Sequence, residues 1–193
     1  VIATGQDRVF SLASAVPGSS AVQWDTAKVP DGSYQINAVF KNGLSEMLAE
    51  VSRTVLVNNS VAWHSGEILS NEMWTADKVH VVEDHLSIGP VKTVTLDPGA
   101  TVKFAAGVRL IVQPGATLSG AGTAQAPVTF TSLSDDETGG DTNLDGTSSK
   151  PQPGDWSGIS VQGDGQLNLS GAVDIRYSMQ EHSGTLASDE TWS

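Results

Sequence analysis

Between positions 134 and 155 the chain carries six carboxylates, at 135, 136, 137, 141, 145 and 155, against one base, Lys150. Like charges at this density repel one another and disfavour their own ionised forms unless a cation offsets them. Inside the run, Asp141-Thr142-Asn143-Leu144-Asp145-Gly146 follows the D-x-[DN]-x-[DN]-G spacing of a calcium loop. In such a loop the side chains at positions 1, 3 and 5 converge on one point, and glycine at position 6 allows the sharp turn that brings in a backbone carbonyl. Oxygen-only ligands suit a hard divalent cation, and a chain with no cysteine has no thiolate to offer a softer one. Position 12 is Gln152, where an EF-hand has a bidentate Glu, and the flanks read as strands. The spacing therefore predicts a Ca²⁺ site built on Asp141, Asn143 and Asp145 and completed by Asp135, Asp136 or Asp155. Sites of this kind in extracellular modules bind at about 10⁻⁴–10⁻³ M. The competing account of the same residues is a solvated loop in which Asp and Asn cap turns through their side-chain oxygens.

Other chemistry is thinner. His80 and His85 are five residues apart and do not share a strand face, so the four histidines, His64 and His182 included, read as surface or turn residues. There is no H-E-x-x-H, no G-x-S-x-G and no Walker-type phosphate loop. Asp77, Glu83 and Asp84 offer a carboxylate pair of the sort glycoside hydrolysis uses, but read better as solvated charges. Asn58-Asn59-Ser60 and Asn168-Leu169-Ser170 fit the glycosylation pattern, which also arises by chance. Thr-x-Thr pairs at 93/95 and 129/131 do not recur often enough for a flat ice- or mineral-binding array.

The elements that must hold these residues are β-strands. Of 193 residues 38% are apolar and only 17% charged, with 20 glycines: enough for a core, in a chain that turns often. A net charge of −12 without a basic stripe argues against nucleic acid, and no apolar run approaches the ~20 residues that span a membrane. The chain opens at Val1 without the regions of a signal peptide and reads as a piece of a longer protein.

Residues 1–60 form a first segment. Tyr34, Ile36, Ala38 and Phe40 alternate on one strand and Val51, Val55 and Val57 on another, with Pro30-Asp31-Gly32 as the turn before the first. Leu44 to Val51 could form a short helix, but a hairpin is the stronger reading. Residues 61–193 read differently. Pro98-Gly99-Ala100-Thr101 returns at Pro114-Gly115-Ala116-Thr117, and short alternating strands surround both units: Val94/Leu96, Val102/Phe104, Leu110/Val112, Val128/Phe130, Ile159/Val161, Leu167/Leu169 and Val173/Ile175. Short strands between glycine corners suit a solenoid, in which each turn of chain stacks its inward residues on the last. A sandwich or barrel is the alternative. Gln180 to Ser193 is polar, shows no strand period and is expected to fray.

Two resemblances sharpen this. Trp24-Asp25-Thr26-Ala27-Lys28-Val29-Pro30-Asp31-Gly32-Ser33-Tyr34 resembles the WDT-x-x-V-P-D-G-x-Y stretch of bacterial immunoglobulin-like modules; it covers the first third of the chain and implies a sandwich truncated at its start. Pro98 to Phe104, Pro127 to Ser132 and Gly154 to Ile159 resemble, in that order, the repeats of right-handed parallel β-helices in large bacterial extracellular proteins. Together they imply an all-β chain: an immunoglobulin-like module at 1–60, then a parallel β-helix at 61–193 with a calcium-binding insertion at 134–155. The tract from Val61 to Gly89, with Trp63 and Trp74, would cover the first coil, and Trp156 would pack in the core.

The function this implies is a non-catalytic, calcium-stabilised structural or binding segment of a secreted or cell-surface bacterial protein, either an adhesin stalk or an accessory region of an extracellular hydrolase. Its partners would be calcium and a carbohydrate or other surface ligand. The alternative is a carbohydrate-active β-helix enzyme such as a calcium-dependent polysaccharide lyase, since some relatives of that fold use a Lys or Arg base. Lys103 and Arg109 read as strand residues, and nothing in the sequence ties them to the acidic run.

Overall fold

The computed structural model describes residues 2–5, 8–11 and 23–179, and these divide between two compact units, Val1–Ser60 and Val61–Ser193. Both are built from strands, and the described residues contain no helix.

The described strands of the first unit form one antiparallel sheet in the order β2-β1-β3-β4, from β1 (Ile2–Gly5), β2 (Arg8–Ser11), β3 (Gly32–Lys41) and β4 (Met47–Val57). The hairpin wins over the helix between Leu44 and Val51: β3 and β4 pair from Gly32↔Val57 to Lys41↔Met47, with an irregularity at Phe40/Lys41. Asn42 closes the connection, its Oδ1 accepting from the amides of Leu44 (2.9 Å) and Glu46 (3.0 Å). The core is small. Val29, Tyr34 and Val57 are buried, with Trp24 edge-on to Tyr34 at 5.4 Å, while Phe40 at the far end of the sheet is 55% exposed.

Among the described residues of the second unit every pairing between strands is parallel. The strands are β5 (Val61–Ile68), β6 (Glu72–Trp74), β7 (Val79–Ile88), β8 (Thr93–Leu96), β9 (Thr101–Phe104), β10 (Leu110–Val112), β11 (Thr117–Gly122), β12 (Val128–Ser132), β13 (Ile159–Val161), β14 (Gln166–Gly171) and β15 (Val173–Ile175). They fall into three columns. The first halves of β5 and β7 lead into β9, β12 and β15; their second halves lead into β10 and β13; β6, β8, β11 and β14 make the third. The chain visits the columns in the same order each time, and we call one such passage a circuit. Val61 to Gly89 is therefore no separate cover: its strands open the columns themselves, because Val61↔Val79 and Trp74↔Leu96 are already in register.

Inward side chains stack rung upon rung. Ile68, Ile88, Val112 and Val161 share one register position, and Trp74, Leu96, Gly120 and Leu169 another. Phe104 and Trp156 lie face to face at 4.1 Å, and Trp156 is fully buried, as the sequence suggests. Where backbones come together only glycine fits: a Cβ on Gly122 would sit 1.9 Å from the Ala172 carbonyl oxygen. Corners between the second and third columns turn at Gln113-Pro114-Gly115-Ala116, closed by Ala116 N donating to Gln113 O (3.0 Å), and at Gly89-Pro90-Val91-Lys92, closed by Lys92 N donating to Gly89 O (3.1 Å). Gly115 has φ +73 and Val91 has φ +55, so a β-branched residue stands where the next circuit uses glycine.

Candidate metal centre

The acidic run leaves the end of β12 and returns at β13, and it does not stand away from the fold. It lies back over the outer side of the first column: a Cβ on Gly139 would come within 2.8 Å of Val79 Cγ2 and 3.5 Å of both Lys103 Cε and Thr101 Cγ2. The inward residues of β12 include Phe130, which pairs with Val102, so Thr131 and its partner Lys103 face out, yet all five residues of β12 and Lys103 are buried. Lys103 donates from Nζ to the carbonyl of Gly140, the residue before the calcium-loop spacing begins. This corrects the sequence reading, in which Lys103 had no tie to the run. Arg109 lies just outside β10, its backbone N donating to His85 Nδ1 (3.1 Å).

Two further contacts staple the ends of the run. Asp135 is buried and accepts from Thr131 Oγ1 at 2.6 Å. Asp155 accepts from Ser132 Oγ (2.7 Å) and from the Gln152 amide (2.9 Å). Arg176 adds a clamp beyond β15, its Nη1 donating to Thr138 Oγ1 at 3.1 Å.

Within that frame the D-x-N-x-D-G spacing closes on itself. Asp141 accepts from the amides of Asp145 (3.2 Å) and Gly146 (2.9 Å), and Asn143 Nδ2 donates to Asp145 Oδ2 (3.0 Å) and Ser149 Oγ (3.1 Å). Leu144 (φ +58) and Gly146 (φ +71) take left-handed backbone, which makes the turn tight enough for alternate side chains to converge.

The carboxylates of Asp136, Asp141 and Asp145 each offer an oxygen within 4.8 Å of the other two, so these three residues could hold a metal ion. Of the six residues named from the sequence, this geometry gathers three. Asn143 is hydrogen-bonded into the same turn, while Asp135 and Asp155 anchor its ends through Thr131 and Ser132. One oxygen each of Asp136 and Asp145 is buried with no hydrogen-bond partner, and a cation would satisfy both. Burial, followed by the neighbouring Asp141, pushes the Asp136 carboxyl above its ordinary range. Burial also pulls the Lys103 ammonium below its own range, against the pull of Asp135, Asp136 and Asp141. One internal cation thus faces several carboxylates, and the oxygen-only donor set fits a hard divalent ion.

Lys103 was missed for a reason: the contact joins residues 37 apart, and only the fold-back of the run over the preceding circuit creates it. The histidines were misread for a similar reason. His80 is buried and His64 half-buried; the two rings stack with Trp74, the His64 and His80 centroids lying 4.3 and 5.0 Å from it. His85 is exposed, and His182 lies outside the described residues. Thr129 and Thr131 are buried, unlike Thr93 and Thr95. The chain matches no protein-family model, no curated protein and no solved structure.

Proposed function

We propose that this chain is a non-catalytic, calcium-stabilised segment of a large secreted or cell-surface bacterial protein, an immunoglobulin-like module followed by a right-handed parallel β-helix. The observation that carries the calcium reading is the group of Asp136, Asp141 and Asp145, with two buried carboxylate oxygens lacking partners, on a run that roofs stacked strands. The recurrent three-column order and the all-parallel pairing support the β-helix. Bound Ca²⁺ would neutralise the run and hold it on the column, serving shape and not turnover. Lys103 suits a lyase base poorly, because a fully buried ammonium engaged with Gly140 does not reach a polysaccharide in solvent.

The test is thermal melting after chelation and again with calcium restored. At ten times Kd a single site adds about 1.4 kcal/mol of stability, so the melting temperature should rise in millimolar Ca²⁺ and the rise should vanish in Asp145→Asn. An unchanged melting temperature across millimolar calcium would remove the ion from the proposal.

A further inference from the structure

We infer that the first circuit of the second unit is latched by a pair of neutral histidines, His64 on β5 and His80 on β7, and that acid opens it. The hydrogen bonds assign the protons. His80 Nε2 lies 3.1 Å from the backbone carbonyl of Thr75, which only accepts, so that nitrogen carries hydrogen. In the neutral ring His80 Nδ1 is then bare and accepts from His64 Nε2 at 3.0 Å. His64 Nδ1 is in turn bare and faces Glu72 Oε2 at 3.9 Å, the same oxygen that accepts from Trp74 Nε1 at 2.9 Å. A single direction of donation therefore runs from His64 through His80 to Thr75, with the stacked Trp74 ring against both imidazoles.

This chain accommodates a proton at only one place. One on His64 Nδ1 would meet Glu72, whereas one on His80 Nδ1 would collide with the hydrogen already donated by His64. The charged groups facing the pair are Glu72 on β6 and Asp77 and Lys78 in the turn before β7; from β9 the residue in register with His80 is the apolar Val102. Burial is the largest influence on both rings and disfavours their charged forms, with His64 held down to about 4. The closed circuit thus refuses protons that an opened one takes up near pH 6.5. Its opening grows as pH falls below that value, about fivefold over the first unit for each refused proton and approaching tenfold per unit beyond it.

Two measurements on the intact chain test this. Amide hydrogen-exchange protection of β5 and β6, relative to β11, should fall at least fivefold between pH 6.5 and 5.5, and the fall should disappear in His64→Gln/His80→Gln. Independently of any variant, histidine ¹⁵N shifts of the unmodified protein at pH 7 should show both rings as Nε2–H tautomers. Either ring as the Nδ1–H tautomer, ordinary titration of both with protection unchanged, or a pH response that survives in the double variant would overturn the latch.

Discussion

Val91 shows how local chemistry and fold can disagree. A β-branched side chain in left-handed backbone is strained, costing about 1–2 kcal/mol, and at φ +55 and 75% exposed it regains little by packing. Val91→Gly would relieve that strain, less the roughly 0.5–1 kcal/mol of extra chain entropy that glycine carries. We expect a net gain of about 0.5–1 kcal/mol, read as a higher urea midpoint with an unchanged slope; a lower midpoint would mean that the side chain holds the corner. The corner also marks a limit of sequence reading. Pro114-Gly115 is recognisable as a turn because glycine tolerates positive φ, whereas Pro90-Val91 makes a similar hydrogen-bonded turn without that signature. Asp141, Asn143, Asp145 and Gly146 were legible for the opposite reason: their geometry arises within six consecutive residues.

Among the strands and loops, alternation was readable wherever one side faces the core and the other water. Val94 and Leu96 are buried between partly exposed Thr93 and Thr95, and Leu110 and Val112 behave likewise. The first column hid its nature because the acidic run covers its outer side, so the Thr residues of β12 and Lys103 of β9 are buried despite their polarity. Lys103 is the seat of that cover. Lys103→Met would remove the donor to Gly140 and the buried cation that pulls on Asp135, Asp136 and Asp141. Loss of one partner of a buried charged group costs about 3–5 kcal/mol, and since water partly reaches Asp136 and Asp141, two of the carboxylates left behind, we place this change toward the lower end. Limited proteolysis should then cut within 134–155 while β8 to β11 stay protected. Resistance equal to that of the unmodified protein would show that Asp135, Asp155 and Arg176 suffice.

Taken together, the two units differ in how much they bury. Among the described residues, the first has three buried core residues and a β4 that is exposed along most of its length; the second has an uninterrupted core running from Ile68 to Trp156. Because stability from burial scales with the apolar area removed from water, the first unit should unfold at a lower urea concentration, giving two transitions. Trp24 reports the earlier one, and Trp74 and Trp156, both buried in the second unit, the later. A single transition in which Trp24, Trp74 and Trp156 change together would show that the units stand or fall as one.

The β9-to-β10 connection takes five residues, 105–109, and the β12-to-β13 connection takes twenty-six, 133–158, yet Leu110 pairs with Ile159 as regularly as with Leu86. The length of a corner is therefore uncoupled from the order of the ladder above and below it. A scaffold with that freedom can lengthen or exchange a lateral appendage so long as the ends of the connection still supply their inward residues, as Trp156 does here, and such a corner becomes a place where new chemistry can be tried at little risk to the fold.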